Sequence, residues 1–233
     1  IGSIDLIKKF AKDENSAVYT GDEINLVSQF RCNGSDGYLA FLDNLLNIRT
    51  TANTNFDMDY DIRLFDSPSK MREALREKND INNKSRMLAG YCYNWITKKN
   101  PNSDEYDINL EDNFHAKWNF GNTSTWAIDE NSFPQVGCIH TSQGLEFDYC
   151  GVIIGKDLIY KDGTVQTDYL KRAKTDTSLK GIKTTKNYAL ADRIIRNTYR
   201  TLLSRGQKGC FIYCEDKAFL NYMSRMLNKE IIK

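Results

Sequence analysis

The chain has 233 residues, 40% of them hydrophobic and 27% charged, with a net charge of +1. That length suits one large domain or two small ones with a self-sufficient core. No run approaches the roughly 18 uninterrupted apolar residues of a membrane span, so the composition excludes a helical membrane protein and gives no membrane partner.

The charge is unevenly spread. Residues 156–208 hold 13 Lys/Arg against 5 Asp/Glu, and the rest of the chain holds 19 against 26. Such a stretch reads either as a solvated face or as a basic surface that meets phosphates. The six cysteines form no C-x-x-C pair and only two histidines accompany them, which argues against a zinc site and gives no metal ligands. Four of the six lie in apolar runs and read as buried thiols of a reducing cytoplasm.

The first predicted element is a helix in which Ile4, Ile7, Phe10 and Ala11 share a face and Ser3 can act as cap. Residues 16–20 and 24–32 read as short extended segments, the second ending at Arg31. A helix follows over 35–48, with Tyr38, Phe41, Leu42, Leu45 and Leu46 on one side. Residues 60–66 alternate as a strand, and 67–79 form a helix with Ser67 as cap and Pro68 at the first helical position. Residues 85–95 are β-like again. Extended, they would line up Tyr91, Tyr93 and Trp95 on one face, a row more at home in a core than as a stacking platform for bases.

Residues 97–132 are polar and rich in Asn and Asp, yet Phe114, Trp118, Phe120 and Trp126 must find burial, so the segment reads as a long loop or small insertion. Strands are predicted over 135–140 and 149–155. Residues 156–186 read as a mobile insertion with room for one hairpin. Residues 187–205 are a strong helix with Ala191, Ile195, Thr198 and Leu202 in one stripe and Gly206 as its glycine stop. A strand at 208–214 and a helix at 215–229 complete the chain. Strands alternating with helices predict an α/β domain with a mostly parallel sheet. Ligands of such sheets gather at the carboxyl ends of the strands, where the loop after 135–140, and Arg31, would lie.

Three stretches carry chemistry: "LVSQFRC" (26–32), "CIHTSQGLEFD" (138–148) and "YRTLLSRG" (199–206). Arginines suit polyphosphate chemistry because the guanidinium stays ionised and donates paired hydrogen bonds. Taken alone, Arg205 at a helix end reads first as a surface salt bridge favoured by the helix dipole. Together, the three stretches resemble the later motifs of superfamily 1 helicases, written roughly L-x-x-N-Y-R-S, T-x-H-x-x-K-G-L-E-F-D and Y-V-A-L-T-R-A. They are more similar still to the bacterial family related to the helicase region of Schlafen group 3 proteins, and the likeness runs from the helix at 4–12 to the strand at 209–214.

That resemblance implies a RecA-like (P-loop NTPase-type) three-layer sandwich with a mostly parallel central sheet. No G-x-x-x-x-G-K-[ST] occurs in the sequence, nor an acidic pair on a strand end before Arg31 to hold Mg²⁺. The resemblance therefore implies that residues 1–24 are the tail of a first RecA-like domain and its connection. Residues 25–233 would be the second domain, with insertions near 97–132 and 156–186. ATP and Mg²⁺ would be held by an N-terminal P-loop domain of the same protein. Arg31 and Arg205 would be the catalytic arginines reaching its γ-phosphate. Glu146 would accept a hydrogen bond from the ribose, and Gly144 would let the backbone pass close to the nucleotide. His140, Thr141, Ser142 and Gln143 would touch the backbone of single-stranded DNA or RNA.

The chain departs from the superfamily pattern at Cys138, where Thr is usual, and at Gln143, where Lys is usual. A cysteine donates weakly, and Gln143 brings no charge. Lys208 and Arg200 are nearby cations that read first as solvated helix residues. Alternatives to a cytoplasmic ATP-dependent helicase or translocase are a non-catalytic nucleic-acid-binding domain and an ATPase switch for a fused nuclease or signalling domain.

Overall fold

The apolar runs converge on one central sheet in a computed structural model that describes residues 4–14, 16–18, 32, 36–52, 60–120, 125–144 and 146–233. Ser3, most of the extended segment ending at Arg31, and Leu145 of the 140–148 motif lie outside the described residues. Residues 16–18 form no strand.

Six strands make the sheet: β1 (Asp61–Phe65), β2 (Ser85–Ala89), β5 (Val136–Gly137), β6 (Phe147–Ile154), β9 (Gly206–Cys214) and β10 (Ile231–Ile232). Their order is β10-β1-β9-β6-β2-β5 and every pairing is parallel. Parallel sheets are covered on both faces, and their strands are correspondingly apolar throughout. Alternate residues of β9 serve the two faces: Cys210, Ile212 and Cys214 enter one core cluster, Phe211 and Tyr213 the other.

One face is covered by α2 (Asp36–Leu45), α5 (Tyr188–Leu203) and α6 (Lys217–Leu227), the other by α3 (Pro68–Asn82). The result is the three-layer α/β sandwich of a RecA-like domain. Tyr38, Phe41, Leu42, Leu45 and Leu46 are all buried, as the spacing of the 35–48 segment predicts. Helix α3 begins where Ser67 Oγ accepts from Lys70 N–H at 3.2 Å and ends where Asn83 turns left-handed. In α1 (Ile4–Asp13), Ala11 is buried while Ile7 and Phe10 are exposed.

Two hairpins stand outside the sheet. β3 (Ile108–Leu110) and β4 (Phe114–Ala116) turn through Asp112 and Asn113, and β7 (Leu158–Lys161) and β8 (Thr164–Thr167) through Asp162 and Gly163. All four turn residues have positive φ, as the type I′ turn demands. Phe114, Trp118 and Trp126 are buried, so the 97–132 segment is packed against the domain. The 85–95 segment is shorter as a strand than predicted: β2 stops at Ala89, and Tyr91, Tyr93 and Trp95 pack on the core from irregular backbone.

The 156–186 segment is not loose. Besides its hairpin, it is anchored by Arg172, which donates to Asp157 at 3.1 Å and Asp176 at 2.8 Å; these side chains are 3%, 0% and 3% exposed. Burial alone would lower the Arg172 pKa, but the two carboxylates outweigh it and raise it. Tyr199 of α5 donates to Asp157 and accepts from Gly155 N–H at 3.0 Å. A short helix, α4 (Ile182–Thr185), completes the segment before α5.

Gly206 is a correction. Helix α5 ends at Leu203, and Gly206 is the first residue of β9, without positive φ. A Cβ there would stand 2.1 Å from Gly209 O, so glycine is required by close backbone approach and not by a left-handed helix stop.

Candidate functional site

The strand expected over 135–140 is only β5, and the chain turns at once. Ser142 N–H donates to Cys138 O at 3.0 Å and Gln143 N–H to His140 O at 3.1 Å. Cys138 N–H donates to Thr141 Oγ1 at 3.2 Å, and the Thr141 hydroxyl donates to Asn119 Oδ1. The Cys138 thiol donates to the same Asn119 oxygen at 3.3 Å, and Ser142 Oγ donates to Ile139 O at 3.3 Å. Thr141 and Ser142 are therefore buried and spend their hydroxyls holding the turn. His140 and Gln143 are exposed. Gly144 has φ +75°, and a Cβ there would meet nothing within 4 Å; its conformation, not lack of space, calls for glycine.

After this turn the chain runs back across the sheet. Val136 of β5 pairs with Met87, which also pairs with Gly151 in the middle of β6. The loop must then return to Phe147, which pairs with Gly206 where β9 begins. Glu146 and Arg205 immediately precede these paired residues, on strands about 4.8 Å apart. Both stand at the amino edge of the sheet, which corrects the expectation that the whole motif gathers at the carboxyl ends.

The amino edge has its own hydrogen bonds. Glu146 is exposed, and Gln207 Nε2 donates to its Oε2 at 2.9 Å. Lys208 Nζ donates to Asp148 Oδ2 at 2.7 Å, and Asn82 Nδ2 donates to the same oxygen at 2.8 Å. Burial alone would raise the Asp148 carboxyl, but these two donors outweigh it and hold it below its ordinary range. Arg200, from α5, is paired with Asp43 of α2, so neither of the two nearby cations is merely solvated.

Arg205 does not project from its helix end: it is 7% exposed. Burial pushes the Cys150 thiol well up, with the Arg205 charge acting the other way. Arg31 lies outside the described residues. Its neighbour Cys32 is fully buried, with Sγ donating to Ser204 O at 3.5 Å. Segments 172 residues apart thus meet next to the two predicted arginines.

A second group of residues surrounds His140. A cleft of about 310 Å³ is lined by His140, Ile139, Tyr91 and Arg172, and by Arg193, Asn197 and Thr201 of α5. The helix residues escaped the motif-based reading. Their signal was present, since positions 193, 197 and 201 recur every four residues opposite the buried stripe.

The family model for the Schlafen group 3, DNA/RNA helicase domain matches residues 1–216. An uncharacterized protein of Saccharomyces cerevisiae is 27% identical over 166 residues, covering 68% of this chain and 35% of the yeast protein. The chain thus spans about a third of the length of that curated relative. No solved structure matches. With nearly its whole length covered by the family model, the chain belongs to the Schlafen group 3 DNA/RNA helicase domain family.

Proposed function

We propose that this chain is the second RecA-like motor domain of an ATP-dependent helicase or translocase. In this reading the amino edge of the sheet forms one wall of a nucleotide cleft. The carrying observation is that Glu146 and Arg205, 59 residues apart in sequence, flank the paired residues Phe147 and Gly206 at that edge. The Cys32–Ser204 contact supports the same role for Arg31, whose chain neighbour it anchors.

The donor set fits part of a nucleotide. Glu146 is an exposed acceptor for a ribose hydroxyl, with Gln207 as its present donor. A guanidinium suits a phosphate oxygen on which charge develops, in a site where low polarity strengthens the interaction. Among the described residues no group of carboxylates, thiols and imidazoles is arranged for a metal ion. The reading therefore assigns Mg²⁺ and the phosphate cradle to a separate P-loop domain, which would supply the bound, polarised triphosphate. On the turn, Thr141 and Ser142 hold the shape while His140 and Gln143 face a single strand of DNA or RNA.

The test is ATP turnover by the full-length protein with and without single-stranded nucleic acid. Arg205→Ala is expected to lower stimulated turnover by about 10³-fold or more, with ATP binding retained and the melting temperature checked because Arg205 is buried. Equal turnover in the variant contradicts the reading. One observation favours a second reading, a nucleic-acid-binding domain without catalysis: Arg205 is covered in this conformation. Salt-sensitive strand binding without stimulated turnover in the wild-type protein would support that alternative.

A further inference from the structure

Most cations around the His140 cleft are already committed. Arg172 is held by Asp157 and Asp176, Arg196 by Asp192, and Arg200 by Asp43. Asp192, the acid next to Arg193 in the chain, also accepts from Thr167. Arg193 differs. It is exposed, lines the cleft, and makes no ion pair or side-chain hydrogen bond among the described residues. The Asn197 amide and the His140 imidazole likewise have no hydrogen-bond partner there. The Thr201 hydroxyl donates to Asn197 O at 2.8 Å and keeps its acceptor lone pairs.

The cleft favours a phosphate over a base. The Tyr91 ring offers no free platform, because Arg172 lies over it at 5.5 Å and the rings of Trp118 and His140 meet it edge-on at 4.8 and 5.9 Å. Tyr91 is thereby a poor surface on which to stack a base. What remains is a row of polar groups on one helix face, spanning about 12 Å from residue 193 to 201 at 1.5 Å per residue. Arg193 provides its uncompensated positive charge.

We propose that the α5 face carrying Arg193, Asn197 and Thr201 is the second wall of a groove for single-stranded nucleic acid, in which Arg193 neutralises one backbone phosphate opposite His140. This rests on the strand-binding reading of the 140–143 turn and extends it to a helix outside the motifs. The groove reads backbone, so its contribution is independent of base sequence.

The experiment is a salt titration of binding by the full-length protein, using fluorescently labelled oligo-dT and oligo-dA. Wild type is compared with Arg193→Gln and with Lys229→Gln. Lys229 is an exposed cation beyond α6, next to the strand at the opposite edge of the sheet from β5, and controls for loss of charge alone. Arg193→Gln is expected to reduce the slope of log K against log salt by about 0.7–1. Affinity should fall several-fold, equally for both oligonucleotides, with an unchanged melting temperature. If the variant matches Lys229→Gln in affinity and slope while wild type binds strand, the Arg193 assignment is overturned and the motor reading stands. A loss confined to one oligonucleotide overturns the phosphate contact. Failure of wild type to bind either strand overturns both this inference and the reading beneath it.

Discussion

Gly144 and Gly206 show at single positions how differently the same residue type serves this fold. Gly144 sits at φ +75° with open space where a Cβ would be. Gly144→Ala should therefore cost only the left-handed backbone penalty, about 1–2 kcal/mol. Gly206 has ordinary φ, but a Cβ would press on the Gly209 carbonyl at 2.1 Å. Backbone cannot swing aside as a side chain can, so Gly206→Ala should destabilise more, by about 1–3 kcal/mol or beyond. Chemical denaturation of both variants checks the order, and an equal or reversed order contradicts it. The sequence alone marked both positions as special, but Gly206 for the wrong reason: the glycine answers a close backbone approach inside the sheet and not a helix stop. A glycine's neighbours depend on register, and the β6–β9 irregularity between Phe147 and Tyr149 is invisible in a string of letters. Ser67 and Pro68 were legible because a helix cap is made within three residues.

Elements with a regular apolar period were equally legible. Helices α2, α3, α5 and α6 and strands β1, β6 and β9 lie close to their predicted positions. Where prediction slipped, side chains had claimed the backbone. β5 is two residues long because the Thr141 hydroxyl takes the Cys138 N–H and the chain coils. The 156–186 insertion looks loose by composition, since its anchor is a residue set distant in sequence: Asp157, Arg172, Asp176 and Tyr199. That anchor has a measurable consequence. Arg172→Met leaves Asp157 buried without its cation, a change that costs about 3–5 kcal/mol. Hydrogen exchange should quicken across residues 157–186 well before it does in the sheet. Unchanged protection there would show that the ion pair does not hold the segment.

At the scale of the whole molecule, the polar motif at 140–148 serves two places. Its first half turns beside α5 near the carboxyl end of β5, and its second half delivers Glu146 to the amino edge beside Arg205. In the proposed motor, one short loop would thus join the strand groove to the nucleotide wall, so that a change at either end can be felt at the other. The most direct measurement of this account is strand-stimulated ATP turnover by the full-length protein, with wild type beside Arg205→Lys. Lysine keeps the charge and loses the planar fork. The account predicts that turnover falls at least about 10²-fold while strand affinity holds, and turnover equal to wild type would contradict it.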